Sequence, residues 1–272
     1  MERPFILVTN DDGYLSPGLL ALRRALATVG EPWVLAPDRN WSAASRTRIF
    51  HKPLRFSSAH LPDGEEVHVT NGSPSDCVLL ALLGLAPRRP DLVVAGINMG
   101  ANIGHDVTYS GTVAAAMEGA SAGIPAIAVS LDLGPDEGRE GNPDYERAAA
   151  LTARVARLAL AERDALVRTL INVNVPRGVP KGVRVTRLGG KIWTDDLVRG
   201  EDPRGRSYYW LAGEMLSSTR RRGGYRCVGG PVRVRLDHPP PPRPHCLRRA
   251  QQAAPVGGGD PRRGRGVARG AL

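Results

Sequence analysis

No stretch of 18 apolar residues occurs anywhere in the chain, which excludes a membrane-spanning helix. The opening residues, MERPFILVTNDDG, lack a basic segment followed by a long apolar one, so no secretory leader is expected. Cysteine is scarce. Cys77, Cys227 and Cys246 show neither metal-ligand spacing nor even pairing, and a reducing cytoplasm is the expected location. No Gly-x-Gly-x-x-Gly follows the first apolar run and no Walker lysine loop is present, which argues against dinucleotide and nucleoside triphosphate sites. Ser42 is not set in a Gly-x-Ser-x-Gly elbow, which argues against a serine hydrolase triad. His51, His60 and His68 offer no ligand spacing, and His105 stands alone in a loop segment.

What is present is a chain of 272 residues, 42% hydrophobic and 24% charged, enough for one large domain or two small ones with a real core. The formal net charge of +10 is unevenly placed. Residues 220–272 hold 13 of the 37 basic residues, all arginine, and only Asp237 and Asp260 of the 27 acidic ones. The first 219 residues therefore balance 24 basic against 25 acidic side chains, and the body gives no electrostatic reason to bind nucleic acid. From about residue 220 Arg, Pro, Gly and Ala dominate, with four prolines at Pro239–Pro242. Such a segment buries too little apolar surface to offset its ordering entropy, so 220–272 is expected to be a disordered tail behind a domain at 1–219. Arginine without lysine is also what an out-of-frame reading of GC-rich coding DNA gives, a hypothesis that resequencing tests and a continuous frame contradicts.

Within the body, short apolar runs alternate with helical periods. Phe5–Val8 is an apolar run ending in Thr9-Asn10-Asp11-Asp12-Gly13, a strand followed by a turn. Ser16 caps, Pro17 takes the first helical position, and Leu19, Leu22, Leu26 and Val29 form an apolar stripe stopped by Gly30. A strand at Trp33–Ala36 completes a βαβ unit. Strands follow at 67–70, 91–95, 126–129 and 170–175, with helices at 73–85, 111–123 and 144–166. Short strands at 183–185 and 208–210 suggest a hairpin extension. The alternation implies an α/β fold, a mostly parallel sheet with helices on both faces.

Ligands of such sheets sit beyond the C-terminal strand ends, so the polar residues there are the candidates. Asp11 and Asp12, leaving a strand into a glycine turn, suit a hard divalent cation such as Mg²⁺ or Mn²⁺; Asp-Asp-Gly is equally ordinary Asx-turn chemistry. Ser110-Gly111-Thr112 at a helix start is either an anion cradle or a plain serine cap. Asn98 and Asn102 are neutral oxygen donors in a glycine-rich loop, or turn residues tolerant of left-handed backbone.

Taken together these segments resemble the SurE family of survival-protein acid phosphatases and 5′-nucleotidases. The resemblance runs through Ile6–Gly13, through Ala36-Pro37-Asp38-Arg39 leading to Ser42, and through Gly72–Val78. It continues in Gly96–Asn102 with Tyr109–Gly119, Asn172–Pro176, and Asp202–Arg206 with Tyr208-Tyr209-Trp210. It implies a Rossmann-like fold with a β-hairpin extension and one divalent metal ion, Mg²⁺ or Mn²⁺, held by Asp11, Asp12, Ser42 and Asn98. It further implies substrate or phosphate contacts from Asn10, Gly13, Asn102, Ser110, Gly111 and Thr112, with Asp11 and Asp12 catalytic. Nucleoside monophosphates are the implied substrates, with 3′-nucleotides and polyphosphate as possible extensions, and a homodimer or homotetramer is the implied assembly. The expected reaction is phosphate monoester hydrolysis by a water that Asp11 polarises. Two other readings are a nucleotide-binding module without catalysis and nucleic-acid association through the Arg-rich tail.

This sequence departs from the family pattern at three places. The family's Ser-Gly-x-x-His-Ser loop reads Ser42-Ala43-Ala44-Ser45-Arg46-Thr47, so an arginine stands where a histidine is usual. That arginine suits an anion but not proton transfer. Ala95 replaces a usual serine, and the family's C-terminal pattern is not found from residue 217 onward.

Overall fold

The computed structural model of the protein describes residues 2–133, 143–176, 178–190, 194–213 and 232–235. The first half of the sheet is built from β1 (Phe5–Thr9), β2 (Glu31–Pro37), β3 (Phe56–His60), β4 (Glu66–Thr70) and β5 (Leu92–Met99). Further strands are β6 (Ala126–Leu131), β7 (Thr169–Val175), β8 (Asp196–Glu201), β9 (Ser207–Ala212) and β10 (Val232–Arg235). The helices are α1 (Pro17–Leu26), α2 (Pro74–Leu80), α3 (Gly111–Ser121) and α4 (Tyr145–Ala161). Eight strands form one sheet in the order β10-β7-β6-β5-β1-β2-β4-β3. The six strands from β7 to β4 run parallel, and β3 and β10 pair antiparallel at the two edges. β8 and β9 form a separate antiparallel hairpin.

The burial of β1 shows how sequence period becomes layers. Ile6 and Val8 belong to a core that includes Leu19, Leu22 and Leu26 of α1 and Ala148, Ala149 and Ala156 of α4. Phe5 and Leu7 belong to a second core with Cys77 and Val78 of α2 and Val113, Ala115 and Ala116 of α3. A strand covered on both faces is apolar throughout, while its side chains alternate between the two layers. Truncating a fully buried leucine such as Leu22 would cost about 2–5 kcal/mol.

Chain order places the site. After β1 the chain moves out to β2 and β4, then returns to β5 on the other side of β1, so the direction of winding reverses between β1 and β5. A crevice opens beyond the C-terminal ends of two strands where this happens. The loops after β1 and β5, and the start of α3, meet there.

The sheet differs from the sequence reading in its peripheral parts. Residues 183–185 form no strand; they are exposed, and the hairpin is instead β8 with β9. The edge strand β3, with the weakly apolar sequence Phe-Ser-Ser-Ala-His, was not anticipated. The helix expected over 73–85 ends at Leu80 and continues as a wide turn at Ala81–Leu85, in which Gly84 has φ 118°. β10 lies within the segment expected to be disordered, and its backbone pairs with Thr169–Asn172. Val232-Arg233-Val234-Arg235 does alternate with the period of a strand, but four residues inside an Arg-, Pro- and Gly-rich segment make that signal faint. The rest of the tail expectation concerns residues outside those described. No helix among the described residues is long and apolar enough to cross a membrane.

Candidate functional site

β1 ends by delivering Asp11 and Asp12 into the crevice. Gly13 follows with φ 95°, and a Cβ there would meet the Arg39 carbonyl carbon at 3.1 Å, so the turn requires glycine. Asn10 Nδ2 donates to the Gly13 carbonyl at 2.9 Å, closing the turn from within. Asn10 and Gly13 thus shape the turn that presents the two carboxylates.

Asp11 is 3% exposed and lies at the start of α3. Thr112 Oγ1 donates to Asp11 Oδ1, and the backbone N–H groups of Asp11, Gly111 and Thr112 also favour its ionised form. Burial is nevertheless the larger influence, and it raises the pKa above the ordinary carboxylate range. A Cβ on Gly111 would stand 2.8 Å from Asp11 Cβ and 2.9 Å from Asp11 Oδ2, so glycine is what lets the carboxylate seat against the helix. The neighbouring Asp12 is pushed up to about 6, first by burial and second by the charge of Asp11, with the Met99 N–H partly opposing. Its Oδ2 is buried without a hydrogen-bond partner, as is Oδ1 of Asn10.

This arrangement changes the expected use of the helix start. The Gly111 and Thr112 N–H groups serve Asp11, the Val113 N–H is accepted by Ser110 Oγ at 3.1 Å, and the Ser110 N–H reaches the Asp106 carbonyl at 3.2 Å. The positive end of the α3 dipole therefore stabilises a carboxylate of the chain itself.

Asn98 lies where β5 bulges. Its Nδ2 donates to the Gly100 carbonyl at 2.8 Å, which leaves the amide oxygen free of that turn, and the next residue's N–H meets Asp12. Asn102 is fixed more tightly. Its N–H donates to Asn174 Oδ1 at 2.8 Å and its Nδ2 to Ser130 Oγ at 2.7 Å. Its carbonyl accepts from Asn172 Nδ2 at 2.8 Å and Asn174 Nδ2 at 3.1 Å. Both the backbone and the side-chain amide of Asn102 are thus engaged, and Asn102 anchors the glycine-rich loop to β6 and β7. Asn172 and Asn174 share one face of β7 by period two, a polar pair in a buried strand that the sequence displayed without its partner.

Ser42 is exposed in the loop after β2. The Trp41 N–H donates to the Asp11 carbonyl at 2.7 Å, which brings Ser42 within one residue of the carboxylate turn. Ala43 and Ser45 in this loop have φ 60° and 53°. Each is held in a left-handed conformation that costs about 1–2 kcal/mol for a non-glycine residue. Ala43 stands where the family pattern has glycine. Arg46, expected to be available to an anion, instead pairs with the buried Glu118 of α3. Tyr145, at the start of α4, was missed as a site neighbour; burial raises its phenol, and the charge of Asp12 adds to that. His105 is exposed on a 3₁₀ turn.

The structure therefore brings together the Asp11–Asp12 turn, the backbone of Trp41 beside Ser42, the Asn98–Met99 segment and the start of α3. Among the described residues no cluster of three or more His, Cys, Asp and Glu could hold a metal. The side chains on these segments offer two carboxylates, from Asp11 and Asp12, with the Ser42 hydroxyl and the Asn98 amide in the neighbouring loops. Such all-oxygen sets suit Mg²⁺ or Mn²⁺, and the unpartnered buried Oδ2 of Asp12 beside a second carboxylate is an electrostatic demand for a cation.

Comparison with known proteins gives the family to which the chain is similar. The family model described as survival protein SurE matches residues 6–195. The 5′-nucleotidase SurE of Chloroflexus aggregans is 50% identical over 212 residues, covering 77% of this chain and 82% of that one. The 5′-nucleotidase SurE of Herpetosiphon aurantiacus is 51% identical over 211 residues, covering 76% and 81%. The crystal structure of the SurE protein from Aquifex aeolicus superposes with a TM-score of 0.69 at 35% identity, covering 91% of this chain and 98% of that one.

Proposed function

The chain belongs to the survival protein SurE family, and on that premise we infer that it is a 5′-nucleotidase, a hydrolase of the phosphate monoester of nucleoside monophosphates. The observation that carries the reading is the meeting of Asp11 and Asp12 with the start of α3 at the point where the sheet reverses its winding. Asp11, Asp12, Ser42 and Asn98 would hold one Mg²⁺ or Mn²⁺ ion. Bound there, a divalent cation offsets the charge of phosphoryl oxygens and acidifies a water.

The chain's own residues supply position and proton control. Thr112 and the helix N–H groups fix Asp11 in one orientation, so its carboxylate can accept the proton of the attacking water. Water oxygen bonds to phosphorus, the ester P–O bond breaks, the departing nucleoside oxygen takes a proton from solvent, and Asp11 returns the proton it accepted to solvent. No covalent phosphoenzyme is needed. Ser110, with its Oγ lone pair held by Val113, keeps its hydroxyl proton for an equatorial phosphoryl oxygen. Asn10, Gly13, Asn102, Gly111 and Thr112 border the phosphate position and hold the groups that touch it. An assembly of two or four copies, as the resemblance implies, would cover the apolar hairpin of β8 and β9.

Asp12→Asn tests the site. It should stay folded by circular dichroism and lose at least about a hundredfold in metal-dependent turnover, since even groups that only orient metal ligands are worth tenfold to a hundredfold. Undiminished turnover would remove Asp12 from the site.

A further inference from the structure

The loop between β2 and β3 has no helix or strand of its own between Pro37 and Phe56, yet it carries Ser42 and holds two non-glycine residues at positive φ. A conformation of that kind persists only where surroundings over-determine it. The strongest restraint comes from α3. Glu118, 5% exposed, receives two guanidinium groups from the loop at once. Its Oε1 accepts from Arg46 Nε at 2.8 Å and Arg48 Nε at 3.3 Å, and its Oε2 from Arg46 Nη2 at 3.1 Å and Arg48 Nη2 at 2.6 Å. Arg46 Nη2 also reaches Ser121 Oγ at 3.1 Å. The Ser45 N–H donates to the Tyr109 carbonyl at 2.9 Å and its Oγ to the Thr108 carbonyl at 2.7 Å, so the loop is tied to α3 and to the segment entering it.

The helix that receives this clamp is the one whose first turn holds Asp11. One rigid element therefore references both loops that face the crevice, the carboxylate turn through Gly111 and Thr112 and the Ser42 loop through Glu118. Planar two-point pairing fixes direction as well as distance, which a single ammonium contact would not. Opposing one buried carboxylate to two arginines leaves each arginine still partnered if the other is removed.

We propose that Glu118, through Arg46 and Arg48, is a positioning residue that holds the Ser42 loop against the Asp11–Asp12 turn, and that Arg46 is an internal strut in this chain. The proposal rests on the reading of Ser42 and Asp12 as ligands of a divalent cation.

The test measures Mn²⁺ affinity by calorimetry on the full chain for the wild type, Asp12→Asn, Ser42→Ala, Glu118→Gln, Arg46→Ala and the Ser42→Ala/Glu118→Gln pair. Hydrogen exchange of the 41–48 amides is the second readout. Glu118→Gln should weaken Mn²⁺ by about tenfold or more and speed that exchange. Ser42→Ala should weaken Mn²⁺ without speeding exchange, and the double variant should bind no more weakly than its weaker parent. Arg46→Ala keeps the Glu118–Arg48 pair and serves if Glu118→Gln does not fold; it should move both readouts the same way. Near-wild-type affinity in the clamp variants while Ser42→Ala is weakened overturns the clamp alone, as do additive losses in the double variant. Wild-type affinity in both Asp12→Asn and Ser42→Ala overturns the metal reading, and the clamp with it.

Discussion

Asp12 shows how a single residue reports on its neighbours. Its proton is held up to about 6 by burial and by Asp11, above the ordinary carboxylate value of about 4. In metal-free protein the folded state thus binds this proton more tightly than the unfolded state. The associated stability is present below about pH 4 and is lost as pH rises through about 6. A divalent cation bound at the proposed site would displace the same proton, so its affinity should rise over that interval and level off above it. Thermal melts with EDTA and with Mn²⁺ between pH 4 and 8 check both signs, and a cation-induced shift that is flat with pH would contradict them. The carboxylate pair was legible in the sequence because two acids end an apolar run. The partners that set their chemistry were not, because Thr112 lies 101 residues from Asp11. Glu118 carried a fainter signal, a lone acid inside the small-residue helix Gly-Thr-Val-Ala-Ala-Ala-Met-Glu-Gly.

At the scale of elements, α3 is the organising piece. Its first turn holds Asp11 and its body receives the Ser42 loop. Gly111 is not at positive φ, so alanine there suits the helix and tests contact alone. Gly111→Ala should leave helix content unchanged while pushing Asp11 aside, lowering kcat/KM by about tenfold or more, as expected when a group at the reacting centre moves by a fraction of an ångström. Unchanged kcat/KM would show that Asp11 tolerates displacement. The central strands were readable because β1, β5 and β6 are buried on both faces and therefore mostly apolar, and β7 keeps Leu170, Ile171, Val173 and Val175 around its two asparagines. β3 and β8 escaped because they are largely exposed, and their pattern depends on a partner strand. The Val183–Val185 alternation misled for the same reason in reverse: it has the period of a strand and pairs with no strand among the described residues.

For the whole molecule, the hairpin of β8 and β9 is the feature a lone chain leaves unresolved. Leu197, Val198, Tyr208, Tyr209, Trp210 and Leu211 are all exposed, Trp210 at 67% and Leu211 at 91%. The implied homodimer or homotetramer would give this apolar surface a partner to bury it against. Sedimentation at micromolar concentration should give an oligomer for the wild type and a smaller species for Trp210→Ser/Leu211→Glu; a monomeric wild type would contradict this.

The most direct measurement is phosphate release from AMP by the full chain with Mn²⁺, with Mg²⁺ and with EDTA, using Asp12→Asn as the control. Release that requires a divalent cation and disappears in the variant is the expected result. Equal release in EDTA, or no release from folded chain supplied with Mn²⁺ or Mg²⁺, would contradict the assignment of a metal-assisted 5′-nucleotidase site to the Asp11–Asp12 turn.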